Sequence, residues 1–292
     1  MEARNINSMT GYGRCECERE GRRLTVEIKS VNHRFLDLNL RLPRAFLFLE
    51  DEARKAIAAQ LARGHVDVFL TYANAREDAR VVTVDAALAR AYVQAMDGVE
   101  GLADDRTLMG ILNMPEVVRI CEAEEDREEL RALLSEALSQ ALSQLCAMRA
   151  REGAALRSDL AARADALEGI AAAIAARVPQ TVAAYRERLR ANVEALLGEH
   201  MDEARLVQEV AIYADRAAID EELVRLGSHV SQLRALLDDP APAGRRLDFL
   251  AQEFNREVNT IASKSQDIEI TRLAMDAKAE IEKLREQVQN VE

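Results

Sequence analysis

From about residue 125 to its C-terminus, this chain of 292 residues carries almost nothing but helical periodicity. In "RLVQEVAIYADRAAIDEELVRLGSHVSQLRALL" the apolar residues Leu206, Val210, Tyr213, Ala217, Leu223, Leu226, Val230 and Leu233 recur at steps of three and four, with one step of six. That spacing predicts one long amphipathic helix. After "DDPAPAG" (238–244), Leu247, Leu250, Phe254, Val258 and Ile261 repeat the stripe, so a second helix should fold back on the first as an antiparallel hairpin. Pro179, Gly198 and the proline-rich stretch are the only firm punctuation. Stripes of this length also predict helices that pack against other subunits.

The first half reads differently. Leu24, Val26 and Ile28, then Leu36, Leu38, Leu40 and Leu42, alternate with polar residues, which is strand periodicity. "NSMTGYGRCECERE" and "HVDVFLTYA" are two further strand candidates, and Gly11 and Gly13 allow a bulge or a close backbone approach. "FLFLEDEARKAIAAQLAR" has helical spacing with Gly64 as its stop, and another helix should start after Asp85. The acidic run "EAEEDREE" (122–129) opens a helix, where carboxylates suit the positive end of the dipole. The fold expected is therefore α+β. Residues 1–155 form an N-terminal domain of antiparallel strands and helices, 156–204 a helical connector, and 205–292 a long-helix C-terminal domain with the hairpin.

Composition excludes several classes of function. No apolar run reaches the roughly 18 residues of a membrane span, and the N-terminus lacks the features of a signal or transit peptide, so the expected address is the cytoplasm, with no membrane partner. Four cysteines offer neither a C-x-x-C pair nor zinc spacing, so all are read as reduced thiols. A net charge of -12 argues against coating nucleic acid by bulk attraction but leaves room for a local basic groove. A Walker loop, a G-x-G-x-x-G turn and a G-x-S-x-G elbow are all absent.

Several motifs carry a resemblance. "SMTGYGR", "EIKSVNHRFLDLNLRLP", "RGHVDV", "EELVRLGSHV" and "GRRLDFLAQEFNREVNTIASKS" resemble the YicC family of bacterial proteins, in order and across both ends of the chain. The resemblance implies a divalent-metal-dependent endoribonuclease that assembles as a hexamer and acts on RNA, with other RNA-decay proteins as candidate partners.

The residues can be read beside that resemblance. Asp215, Glu222 and His229 are seven apart and share one face of the expected long helix, but two turns span about 11 Å, too far for one ion to bind all three. Glu253 and Glu257 on the second helix would complete a site. Glu222, His229, Glu253 and Glu257 are thus the candidate catalytic and metal-binding set, in a donor chemistry suited to Mn or Mg. The rival reading pairs Glu221 and Glu222 with Arg225 on a solvated face and puts His229 in a packing seam.

The stretch 244–265 is rich in amides and hydroxyls. Asn255 and Asn259, with Arg245, Arg246, Arg256 and Lys264, suit phosphates, sugar hydroxyls and base edges, although the amides would equally fix helix register inside an oligomer. In the N-terminal domain Arg14, Asn32 and Arg34 are candidate RNA contacts, against ordinary strand salt bridges. His33, at a tight junction between two strands, is either an acid–base group or a surface residue, and Tyr12 either stacks on a base or lies in the core. RNA could be cut by metal-activated water or by attack of its own 2'-hydroxyl. Abundant carboxylates and only four histidines favour the metal route. The reading carried forward is metal-dependent hydrolysis of structured or single-stranded RNA. The alternative is a non-catalytic oligomeric adaptor presenting RNA to another nuclease, with a purely structural oligomer third.

Overall fold

The computed structural model describes residues 6–97, 107–197, 202–239 and 243–292. Its first unit is built on a four-stranded sheet of β1 (Gly11–Arg19), β2 (Arg22–Val31), β3 (Leu36–Arg41) and β4 (Gly64–Asn74), in the order β1-β2-β4-β3. β1 pairs antiparallel with β2, and β2 with β4, as the alternation of the sequence implies. β3, however, joins β4 in parallel. The tight junction expected at residues 32–35 is therefore no hairpin. A 3-10 turn (Arg44–Leu49) and α1 (Glu50–Ala58) carry the chain from β3 to β4, and a helical crossover is what a parallel pair requires. α1 ends six residues short of Gly64, which instead opens β4 at a φ of +117°, a conformation that glycine alone adopts freely.

Beyond β4 lie β5 (Arg80–Val84), α2 (Ala86–Asp97), α3 (Leu108–Leu112) and β6 (Val118–Glu122), where β5 and β6 form a separate antiparallel ribbon. This ribbon has no signature in the sequence, because its residues are exposed on both faces and so lack alternation. The helix after Asp85 is α2, and the Asp85 carboxylate accepts from the backbone of Ala87 at 3.1 Å and Leu88 at 2.9 Å.

α4 (Arg127–Leu197) runs for 71 residues and belongs to both cores. Its first turns cover the sheet, where Leu133, Ala137, Ala141 and Leu145 meet Leu24, Val26, Ile28 and Val68. β1 lies against it closely enough that a Cβ on Gly13 would sit 2.1 Å from the Ala141 carbonyl oxygen, which is the close approach its glycines suggest. Farther along, Leu160, Ala164, Leu167 and Ile174 join the helices of the second core. Pro179 does not end α4: it removes one backbone bond, but Ile174, Val178 and Thr181 on either side are packed inward and hold the path.

The second core holds α5 (Glu203–Arg216), α6 (Asp220–Asp238), α7 (Gly244–Lys264) and α8 (Ile268–Val288). The expected single helix over 205–237 is thus two. The step of six from Ala217 to Leu223 marks the break, Ile219 is buried there, and the freed carbonyl of Ala218 accepts from Lys264 Nζ at 3.0 Å. Gly198 and residues 240–242 of the proline-rich turn lie outside the described residues. Among those described, no helix is long and apolar enough to cross a membrane. The C-terminus returns to the sheet unit: Val291 bridges Ser8, and the buried Arg149 donates to the Ser8 carbonyl and pairs with Glu292.

Candidate metal centre

α6 and α7 pack as an antiparallel hairpin through Leu226, Val230 and Leu233 on one helix and Leu250, Phe254 and Val258 on the other. Antiparallel register sets His229 beside Phe254, with ring centroids 5.9 Å apart and the planes near perpendicular. Glu253 and Glu257 flank Phe254 on α7, four residues apart and hence on one face. One donor atom from each of His229, Glu253 and Glu257 lies within 4.8 Å of the other two. Donor atoms this close to one another could share one divalent ion.

The local chemistry fits such an ion. Both ring nitrogens of His229 are buried and neither has a hydrogen-bond partner, a costly arrangement for a group that donates and accepts. The Glu257 carboxylate is buried, and its nearest cation, Arg225 Nη1, stands 3.7 Å away while also pairing with Glu221. An imidazole with two carboxylates suits Mn or Mg, and three protein donors leave positions open for water and substrate.

Glu222, the fourth expected ligand, lies outside this cluster. Its Oε1 accepts from Lys264 Nζ at 2.9 Å, and its Oε2 is buried without a partner. Burial pushes the Glu222 carboxyl up, but the Lys264 ammonium and the backbone of the first turn of α6 outweigh it and hold the group below its ordinary value. Lys264 therefore faces the hairpin as the partner of Glu222. Asp215, on α5, no longer shares a helix with either residue.

The other face of α7 meets α8. Gln252, Asn255, Arg256, Asn259, Thr260 and Arg285 line a groove of about 410 Å³. An adjoining groove of about 440 Å³, also bounded by Arg285, is lined by Asn32, Arg34, Arg63, Arg245 and Asp248. The return of the C-terminus brings these two halves of the chain together: Asn32 Nδ2 donates to the Gln289 carbonyl at 2.6 Å, and Arg63 Nε to the Arg34 carbonyl at 3.3 Å. Among the described residues, Arg34, Arg63, Arg245 and Arg256 have no carboxylate within salt-bridge distance, and Arg285 is 4.0 Å from Asp248. Converging cations without carboxylate partners give these grooves a local positive field within an acidic chain.

The remaining expected residues lie elsewhere. Arg14 sits on the outer face of β1, 3.6 Å from Glu27 and 3.7 Å from Glu16, while Arg246 pairs with Asp239 at 2.8 Å. Tyr12 is exposed and its hydroxyl donates to Glu27 at 3.0 Å, so it belongs to no core. His33 Nδ1 lies 3.0 Å from the Phe35 carbonyl oxygen, and its ring is 6.4 Å from that of His65. Arg63 and Arg285 carry no signal in the sequence, since neither helical nor strand spacing reveals that they line one groove with Arg34 and Arg245.

Two family models cover most of this chain. "Endoribonuclease YicC-like, N-terminal region" matches residues 6–158, and "Endoribonuclease YicC-like, C-terminal" matches residues 174–292. A protein of Clostridioides difficile (strain 630) named "Probable endoribonuclease YicC" is 40% identical over 290 residues, covering 98% of this chain and 99% of the relative. One of the same name from Haemophilus influenzae is 34% identical over 292 residues, covering 98% and 100%.

Proposed function

The chain belongs to the endoribonuclease YicC-like family, and from that premise we propose that it hydrolyses RNA phosphodiester bonds with a divalent ion held between α6 and α7. The observation that carries this reading is the convergence of His229, Glu253 and Glu257, with both His229 nitrogens unpartnered.

The ligand set we propose is His229, Glu253 and Glu257, with Mn or Mg as the ion. When bound, the ion would polarise the scissile phosphate and lower the pKa of a water nucleophile. The chain itself has four tasks. His229, fixed edge-on against Phe254, presents a ring nitrogen in one orientation. Glu253 and Glu257 supply negative charge from successive turns of a single helix, so their spacing does not drift. Arg225, beside Glu257, is placed to neutralise a phosphate oxygen at the centre. The grooves of Arg34, Arg63, Arg245 and Arg256, with the amides of Asn32, Asn255 and Asn259, hold the RNA backbone alongside. We also propose a homo-oligomer, a hexamer as the family resemblance implies, in keeping with the exposed Val82, Ile120, Leu196 and Val207.

The test is Mn titration of the purified chain by calorimetry or electron paramagnetic resonance, beside cleavage of a labelled RNA with and without EDTA. One site per chain is expected, lost in His229→Ala, with cleavage abolished by EDTA. RNA binding without cleavage at any metal concentration would replace the nuclease with the adaptor.

A further inference from the structure

A cleft of about 560 Å³ opens between α6 and α7 on the side of the metal centre nearer their connection. Gln232 on its α6 wall follows His229 by three residues, and Phe249 on its α7 wall precedes Glu253 by four. The cleft therefore begins one helical turn, about 6 Å along the axis, from the proposed ion. Its floor is apolar, formed by Ala235, Leu236 and Leu250. Phe249 stands over it with 63% of its surface exposed, in a chain that has only six phenylalanines.

Two guanidiniums stand at the rim. Arg246 donates to Asp239, whereas Arg245 has no carboxylate partner among the described residues and also borders the arginine groove. A flat exposed ring over an apolar floor, with an unneutralised cation beside it, matches one chemical shape in particular. A nucleobase brings a π face to the ring and the phosphate next to it to the arginine.

We propose that this cleft is a nucleobase subsite, in which the base next to the scissile phosphate stacks on Phe249 while Arg245 holds the phosphate beyond it. The proposal rests on the nuclease reading above, and it adds that the enzyme engages an unpaired nucleotide at the cut, because a base within a duplex cannot present its face to a side chain. Stacking tolerates any base, so the subsite sets where the strand is cut relative to unpaired positions and does not select a sequence.

The experiment uses short single-stranded RNAs carrying 2-aminopurine at successive positions around a mapped cleavage bond, added to the whole protein in EDTA. Fluorescence should be quenched most at the nucleotide next to the cleaved bond. Phe249→Leu keeps the apolar volume but loses the π face, and should abolish that quench and weaken binding roughly tenfold, while Phe249→Tyr should retain both. Equal quenching in the wild type and Phe249→Leu would overturn the subsite, as would a Phe249→Leu protein of lower mass by light scattering with its quench intact, which would make this face a contact between copies of the chain. The readout needs neither metal nor cleavage. A quench without cleavage in Mn would therefore sink the nuclease reading alone, and cleavage without a quench the subsite alone.

Discussion

Glu253 and Glu257 differ in burial and so should differ on substitution. Glu253→Gln keeps the shape of the half-buried side chain and removes one charge, so cleavage should fall at least tenfold and recover in part with excess Mn, while RNA binding stays level or tightens. Filter binding beside cleavage rates checks this, and full activity in both Glu253→Gln and Glu257→Gln would remove the site. Glu222 and Lys264 carry a pH signature. The folded Glu222 carboxyl lies below its ordinary value, so the pair stabilises the fold above about pH 4.3, and that contribution disappears as pH falls through the lower, folded value. Lys264→Met removes the main partner of that anion. Burial then opposes the Glu222 charge against only the α6 backbone and Arg225, so the variant should be about 3 kcal/mol less stable at pH 7 and regain part of the deficit on acidification. Denaturant melts at pH 7, pH 5 and about pH 3 check both, the wild-type loss being expected only between the last two. Of these residues, sequence spacing placed Glu253, Glu257 and His229 on facing helices. It could not pair Lys264 with Glu222, because that contact depends on the break before α6.

Among the elements, α8 is held at its start by a local contact and a distant one through the same residue. Asp267 caps it by accepting from the backbone of Glu269 at 3.0 Å and Ile270 at 3.1 Å, and it receives Arg177 from α4 at 2.9 Å. Asp267→Ala removes cap and ion pair together and should cost about 2 kcal/mol, read as a drop of several degrees in Tm. A change below half a degree would mean that neither contact matters. Strand alternation made β1 to β4 legible because one sheet face is buried under α4 and the other is solvated. β5 and β6 were not, since exposure on both faces leaves no period. The division of 205–237 into α5 and α6 was written only as an irregular step in an otherwise regular stripe.

For the whole molecule, charge distribution outweighs total charge. A net charge of -12 should repel RNA, yet Arg34, Arg63, Arg245 and Arg256, without carboxylate partners among the described residues, gather where the two cores meet. Binding should therefore be strongly salt-dependent. The double change Arg34→Ala, Arg245→Ala should reduce the slope of log K against log salt by about 1.4, at roughly 0.7 per phosphate contact for single strands. An unchanged slope would make these arginines structural. The proposed assembly is checked by light scattering, which should give several times the 32.5 kDa of one chain, six times for a hexamer. A monomer at micromolar concentration would overturn it.

What the sequence determined by itself is the α+β class, the helical second half, the facing stripes of the hairpin and the family. All of these depend on periodicity or on local motifs, which are properties of neighbours along the chain. Tertiary structure decided the parallel pairing of β3 with β4, the pairing of Glu222 with Lys264 apart from the cluster of His229, Glu253 and Glu257, and the meeting of Asn32, Arg34 and Arg63 with Arg245 and Arg285. That meeting needs the C-terminal residues after α8 to pair beside Ser8, a contact between residues more than 280 positions apart. Its register is set by the packing of α4 and α8, and no local pattern encodes it.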